Sequence, residues 1–213
     1  MAVLMLACAF GTVTQAAAQR VTPPTTPDLI TPPEGNVAFL VGHAKGTQGY
    51  VCLPTGVGAS TASWTVNPAR PDATLFMTIF GQDFQIIHHF ASPDAKPNEF
   101  APNPLPGAGN ATWQASFDSS RVWAAVLHKN TIAPSPDLVS CPNTGSIPCL
   151  LLQSIGNDVG PTGGSLLAKT TFVQRLNTKG GSAPATGCST STDVGKQALV
   201  GYTADYYFYH AAE

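Results

Sequence analysis

Few residues in this 213-residue chain have the type and spacing to do chemistry. His43-Ala44-Lys45 puts two polar side chains on one face if the segment is extended, because alternate strand residues point the same way. Gln48 follows three residues later. Arg175 and Asn177 alternate in Phe172-Val173-Gln174-Arg175-Leu176-Asn177, and Asp205 and Tyr207 alternate in the aromatic run Tyr202-Thr203-Ala204-Asp205-Tyr206-Tyr207-Phe208-Tyr209. A guanidinium, a carboxylate and phenol rings on neighbouring strands would form a shallow surface suited to a sugar or a carboxylate ligand. The structural alternative is an ion pair with aromatic packing. His88 and His89 are adjacent, so on a strand they face opposite ways and cannot readily share a metal. A metal site would need His43 or His128 as well, and none is expected. Gly-x-Ser-x-Gly is absent, and the 12 acidic residues are scattered with no spacing that suggests a paired-carboxylate glycosidase.

The elements that must position these residues read as β throughout. Gly and Pro number 20 and 19, while charged residues are only 10% of the chain, a composition that suits many short strands joined by turns. Strands are expected over Val37–Val41, ended by Gly42, then over Gly46–Leu53 and Ser63–Val66. A hairpin follows, with Ala73–Phe80 turning through Gly81-Gln82-Asp83 into Gln85–Phe90. Further strands are expected at Ala111–Phe117, Arg121–Lys129, Cys149–Ser154, Thr170–Thr178 and Val200–Tyr209. The last two should pair antiparallel, bringing Arg175 close to Asp205. The total is about ten strands with no convincing helix: one all-β domain, an antiparallel barrel or sandwich over residues 36–213.

Residues 1–18 read as a signal peptide. Ala2–Phe10 is an apolar core and Ala16-Ala17-Ala18 a small-residue cleavage site, although the first basic residue is Arg20. Residues 19–35 carry five prolines and several threonines and should form an extended, solvated tether. Ser92–Gly109 is a proline-rich surface loop, and Asn110-Ala111-Thr112 is a glycosylation triplet should the host glycosylate. Removing the signal leaves Cys52, Cys141, Cys149 and Cys188, an even set that implies two disulfides. Three connectivities are possible. The short loop holding Pro142, Gly145 and Pro148 suggests Cys141–Cys149, which leaves Cys52–Cys188. A net charge of −2 gives no electrostatic case for nucleic acid or an anionic membrane, and no apolar run is long enough for a transmembrane helix.

Several segments, in order, carry a resemblance. They are His43–Cys52, His88-His89-Phe90, Trp113, Ala133-Pro134-Ser135-Pro136, Leu150-Leu151-Leu152, Val173–Gly181, Pro184–Cys188 and Tyr202–Tyr209. On these the chain resembles an uncharacterised family of secreted bacterial and fungal proteins, domain-of-unknown-function family 3455. Cys141 and Cys149 depart from the usual bacterial pattern of that family, which supports pairing them with each other. Fungal relatives are sometimes labelled malate dehydrogenase. The residues here do not support that label: Gly56-Val57-Gly58-Ala59-Ser60-Thr61 and Gly107-Ala108-Gly109-Asn110-Ala111-Thr112 both lack the third glycine, and neither opens a helix. The expected function is a secreted, extracellular or periplasmic, non-catalytic binding module for a sugar or small ligand, without a cofactor. The candidate ligand-binding residues are His43, Lys45, Gln48, Arg175, Asn177, Asp205 and Tyr207. The rival readings are a secreted hydrolase with a site around His43, Lys45 and Arg175, and a structural envelope or wall component.

Overall fold

The structure is a computed structural model that describes residues 21–67, 70–92 and 109–212. The expected signal peptide, Cys8 and most of the Ser92–Gly109 loop lie outside the described residues, as does the side chain of His128. Among the described residues nine strands form one antiparallel sheet: β1 (Asn36–Pro54), β2 (Ala62–Val66), β3 (Asp72–Ile79), β4 (Gln82–Ser92), β5 (Asn110–Ala115), β6 (Arg121–Ile132), β7 (Cys149–Asp158), β8 (Phe172–Gly180) and β9 (Gln197–Ala211). The order is β2-β1-β3-β4-β5-β6-β7-β8-β9, and β1 also pairs with β9. The sheet therefore closes into a ring, with β2 attached to β1 outside the cycle. Closure removes most of the open strand edge that invites aggregation. Strands alternate in direction around the ring. The β3–β4, β5–β6 and β7–β8 connections thus leave from one end, and the β4–β5, β6–β7 and β8–β9 connections leave from the other.

Period-two alternation sorts side chains to the two faces of the ring. Val173, Tyr206, Phe208, Leu75, Ile87, Trp113, Val122 and Leu152 fill the inside. A second apolar cluster lies outside the sheet, where Ile30, Cys141, Cys149, Leu151, Leu176, Tyr207 and Tyr209 meet. Both predicted bridges form: Cys52–Cys188 with Cα atoms 5.4 Å apart and Cys141–Cys149 with Cα atoms 6.1 Å apart. The β3–β4 hairpin also forms, on the tighter turn Phe80-Gly81, so that Gln82 already pairs with Ile79.

Two expectations change. The separate strands Val37–Val41 and Gly46–Leu53 are one 19-residue strand. Gly42 does not end it. An added Cβ at Gly42 would stand 2.9 Å from the Leu75 Cβ, so this glycine lets β1 and β3 approach closely inside the ring. The proline-rich segment is extended but is not a solvated tether. A 3₁₀ turn in it, Asp28–Ile30, packs against β6 and β7, with Ile30 fully buried. The Gln174 side-chain amide donates to the Ile30 carbonyl at 2.6 Å, and the Tyr209 hydroxyl donates to the other end of Gln174 at 2.6 Å. Ile30, Val21 and the satisfied Gln174 hold this arm against the sheet, and its prolines leave fewer backbone N–H donors needing water. Among the described residues no helix is long and apolar enough to cross a membrane.

Candidate functional site

The polar residues fall into two groups separated by the sheet. The outer group centres on Asp205. His43 on β1 faces Asp205 on β9, and its Nδ1–H donates to the carboxylate at 2.6 Å. That bond fixes the proton on Nδ1 and leaves Nε2 toward solvent, the orientation a carboxylate imposes on a base histidine. Asn177 donates from Nδ2 to the second carboxylate oxygen at 2.7 Å. Asn177 reaches this face because the β8–β9 register breaks between Leu176 and Lys179 and its φ is +49°, a left-handed conformation that asparagine tolerates well. Lys45 lies on the same face, 5.3 Å over the Phe76 ring, and donates to Asp83 at 3.2 Å. The Thr78 hydroxyl, then Lys45, hold the Asp83 carboxyl below its ordinary range. Asp205→Asn keeps one acceptor for two donors in a part-exposed setting, so it should lower stability by about 1 kcal/mol or less in urea unfolding. A loss of several kcal/mol would mean that this trio is a structural keystone rather than a surface feature.

The inner group centres on Arg175, which is only 9% exposed. It faces Leu150 on β7 and Tyr206 on β9, both of which point inward. Its Nε and Nη2 donate to the Pro148 carbonyl at 3.3 and 2.9 Å. Among the described residues no carboxylate pairs with it, and Nη1 makes no hydrogen bond. Hydroxyls gather nearby: Tyr50 donates to the Gly181 carbonyl at 2.6 Å, and the Tyr202 and Tyr206 hydroxyls lie 3.0 Å apart. His89 stacks flat on Trp113, with ring centroids 4.2 Å apart and planes at 7°. It donates from Nδ1 to the Thr112 carbonyl at 2.9 Å. Burial pushes its pKa down to about 4, against the opposing pull of the Thr112 bond and helped by the charge of Arg175. The Trp113 indole N–H is buried without a partner among the described residues. Burial, partly offset by the Arg175 charge, raises the phenol pKa values of Tyr50 and Tyr202.

The expected Arg175–Asp205 pair does not form. β8 and β9 pair antiparallel as expected, but the register sets Arg175 against Tyr206 and Leu176 against Asp205. A shift of one residue sends the two charges to opposite faces. Alternation alone would match the polar side of β8 to the polar side of β9. In the fold, the face of Arg175 meets the Tyr206 and Phe208 stripe instead, because the inside of the ring takes a mixed lining. Tyr207 belongs to the outer apolar cluster, where burial and then the Asp205 charge raise its phenol pKa. Gln48 makes a long 3.4 Å bond to its neighbour's carbonyl and joins neither group through a hydrogen bond. His88 and His89 do point apart: His88 is half-buried and bonded to Asp72 at 3.2 Å, while His89 is buried. Among the described residues no three side chains of ligand type converge on a metal position. Tyr50, Tyr202 and, through the His89 ring stacked on it, Trp113 belong to the surroundings of Arg175, none of them expected there from the sequence. Their aromatic character signalled burial, but only closure of the ring brings β1 and β5 round to β8.

Together these features define a disulfide-stapled, all-β domain built on a closed antiparallel sheet, with a buried arginine among tyrosines inside and a His–Asp–Asn trio outside. The chain belongs to the family described as protein of unknown function DUF3455, which matches residues 32–210. No curated protein and no solved structure matches it.

Proposed function

We propose that this domain is a non-catalytic binding module for a small ligand carrying an anionic group, such as a carboxylate or an acidic sugar. The observation that carries this reading is the guanidinium of Arg175. It is nine-tenths buried inside the ring, satisfied on one side by a carbonyl and lacking a carboxylate among the described residues. A buried cation without a counter-ion is costly, and an anion docking against its free edge would relieve that cost. Of the Tyr202 and Tyr206 hydroxyls, bonded to each other, one keeps a proton to donate to a second ligand oxygen. The hydrolase reading loses force because His43 and Lys45 stand on the opposite side of the sheet from Arg175. Two disulfides and the apolar Ala2–Phe10 start support an oxidising compartment outside the cytoplasm.

The test is calorimetric titration with a panel of small carboxylates, uronic acids and matched neutral sugars. An acidic ligand should bind, and Arg175→Met should weaken it by about tenfold to a hundredfold, the usual worth of a charge-assisted pair. Arg175→Met should also lower the melting temperature somewhat, since the Pro148 carbonyl loses both its donors. Asp205→Asn, on the far side of the sheet, should leave binding unchanged. Loss of binding in Asp205→Asn with retention in Arg175→Met would move the site to the outer face and overturn this assignment.

A further inference from the structure

A second surface lies at one end of the ring. The connections β3–β4, β5–β6 and β7–β8 leave from this end, and each presents apolar side chains to solvent. Phe80 stands on the first, with Ile79 and Phe84 on the strand ends beside it, Phe117 on the second, and Val159 and Leu166 on the third. Phe80 is 102% exposed and Phe117 76% exposed. Single exposed apolar residues are ordinary, but six on three neighbouring connections and the strand ends beside them form a patch at one end.

Phe80 is the most informative of them. It takes φ +52° in a two-residue turn where Gly81 takes +75°. Such turns favour asparagine, aspartate or glycine, and a bulky aromatic there is strained. An asparagine would relieve the strain and remove the exposed ring at once, so the phenylalanine serves something other than folding.

The three loops are fastened to one another. Gln85 donates to the Ser116 hydroxyl at 3.2 Å and the Ser116 amide to the Ile86 carbonyl at 2.8 Å, joining the first loop to the second. The Leu166 amide donates to Asp118 at 2.9 Å and the Leu167 amide to the Ser120 hydroxyl at 3.0 Å, joining the second to the third. The tips are thus presented together rather than on independent tethers. Charge on the three connections and the strand ends beside them is balanced: Asp83 is paired with Lys45, Arg121 faces Asp158 across β6 and β7, and Asp118, held by backbone amides and Ser120, is offset by the exposed Lys169 of the third connection.

We propose that this end of the ring docks on the uncharged interface of a lipid bilayer, with Phe80 and Phe117 inserted at the headgroup boundary. The apolar groups project from separate loop tips with Gln82, Ser116 and Gly163 between them. A rigid protein partner would need matching hollows for each, whereas a bilayer deforms around projecting rings. The balanced charge fits a zwitterionic surface and sets this mode apart from binding through basic residues to anionic lipid.

The experiment is vesicle sedimentation of the full chain with phosphatidylcholine liposomes, comparing wild type with Phe80→Asn, Phe117→Ser and the double variant. Each substitution should weaken partitioning by about tenfold, from the apolar area withdrawn from lipid. Binding should be insensitive to salt. Phe80→Asn should melt no lower than wild type, because it relieves the turn. As a readout independent of the apolar N-terminal residues, the indole introduced by Phe80→Trp should shift its emission to the blue and be quenched by brominated lipid, read as the difference from wild type. Equal partitioning of wild type and double variant, or a difference emission of Phe80→Trp that vesicles leave unchanged, would overturn the proposal. Concentration-dependent self-association that the double variant abolishes, without vesicle binding, would overturn it in favour of a second copy of the chain.

Discussion

Removing the Cys52–Cys188 bridge as a Cys52→Ala/Cys188→Ala pair will lower the free energy of unfolding by about 3–5 kcal/mol. The bridge spans 136 residues, so without it the unfolded chain regains the freedom of a very long loop. Cys52 also anchors a backbone junction, where its amide donates to the Lys196 carbonyl and its carbonyl accepts from the Gly195 amide, both at 2.9 Å. The same junction is held by the Trp64 indole N–H on the Thr186 carbonyl at 2.9 Å. Loss of the disulfide therefore loosens the start of β9, which closes the ring against β1. The Cys141–Cys149 bridge spans only 8 residues and should contribute about 2–3 kcal/mol by the same reasoning. Domains of this kind are stable by only about 5–15 kcal/mol, so the long bridge is a large share of the total. Urea unfolding of the two double-alanine variants reads the difference. If the short bridge proves to matter more than the long one, loop entropy is not what sets their contributions.

The second large effect is acid lability through His89. The ring is buried and neutral in the fold, with its pKa pushed from 6.5 to about 4. Above pH 6.5 it is neutral in both states and carries no penalty. Between pH 6.5 and 4 the unfolded state takes up a proton that the folded state refuses, so stability falls as pH falls. The accumulated loss below pH 4 is about 3 kcal/mol, from roughly 1.4 kcal/mol per pKa unit. The groups that act on His89 are Arg175 and His88, whose charges push the pKa down further, and Asp72, which opposes them. The depressed carboxylates Asp83, Asp118 and Asp193 lose their contributions only as pH falls below the ordinary carboxylate range, so they leave most of this window to His89. His89→Asn keeps a donor toward the Thr112 carbonyl and removes the titration. Its stability should be lower at neutral pH, because the stack on Trp113 is lost, and flatter between pH 6.5 and 4. A wild-type curve that is flat over this window, or a variant with an undiminished slope, would refute the assignment.

Much of the fold could be read from local pattern. The β3–β4 hairpin followed from alternating Leu75, Met77 and Ile79 with a glycine beyond them, and the turn missed by only a residue. The opposed directions of His88 and His89 needed only that their segment be a strand. Both disulfides followed from an even cysteine count and one short proline-bearing loop. The candidate site was legible in part. His43, Lys45, Asn177 and Asp205 share the outer face, and His43 and Asn177 share one carboxylate. That sharing needed two things no strand pattern contains: β1 lying beside β9, and a left-handed Asn177 that departs from the alternation.

What the sequence by itself determined is therefore short-range. Turn residues, period-two patterning and cysteine spacing act over a few residues or through covalent chemistry, and each says what a segment is without saying what it lies against. The tertiary structure alone decided that the sheet closes, that the proline-rich arm lies down through Ile30, and that Arg175 is inside while Asp205 is outside. The physical reason is that β8 and β9 are covered on both faces, by the ring interior on one side and by the arm and the Cys141–Cys149 loop on the other. Where both faces are apolar, hydrophobic pattern cannot choose between registers that differ by one residue, and the choice passes to closure of the ring.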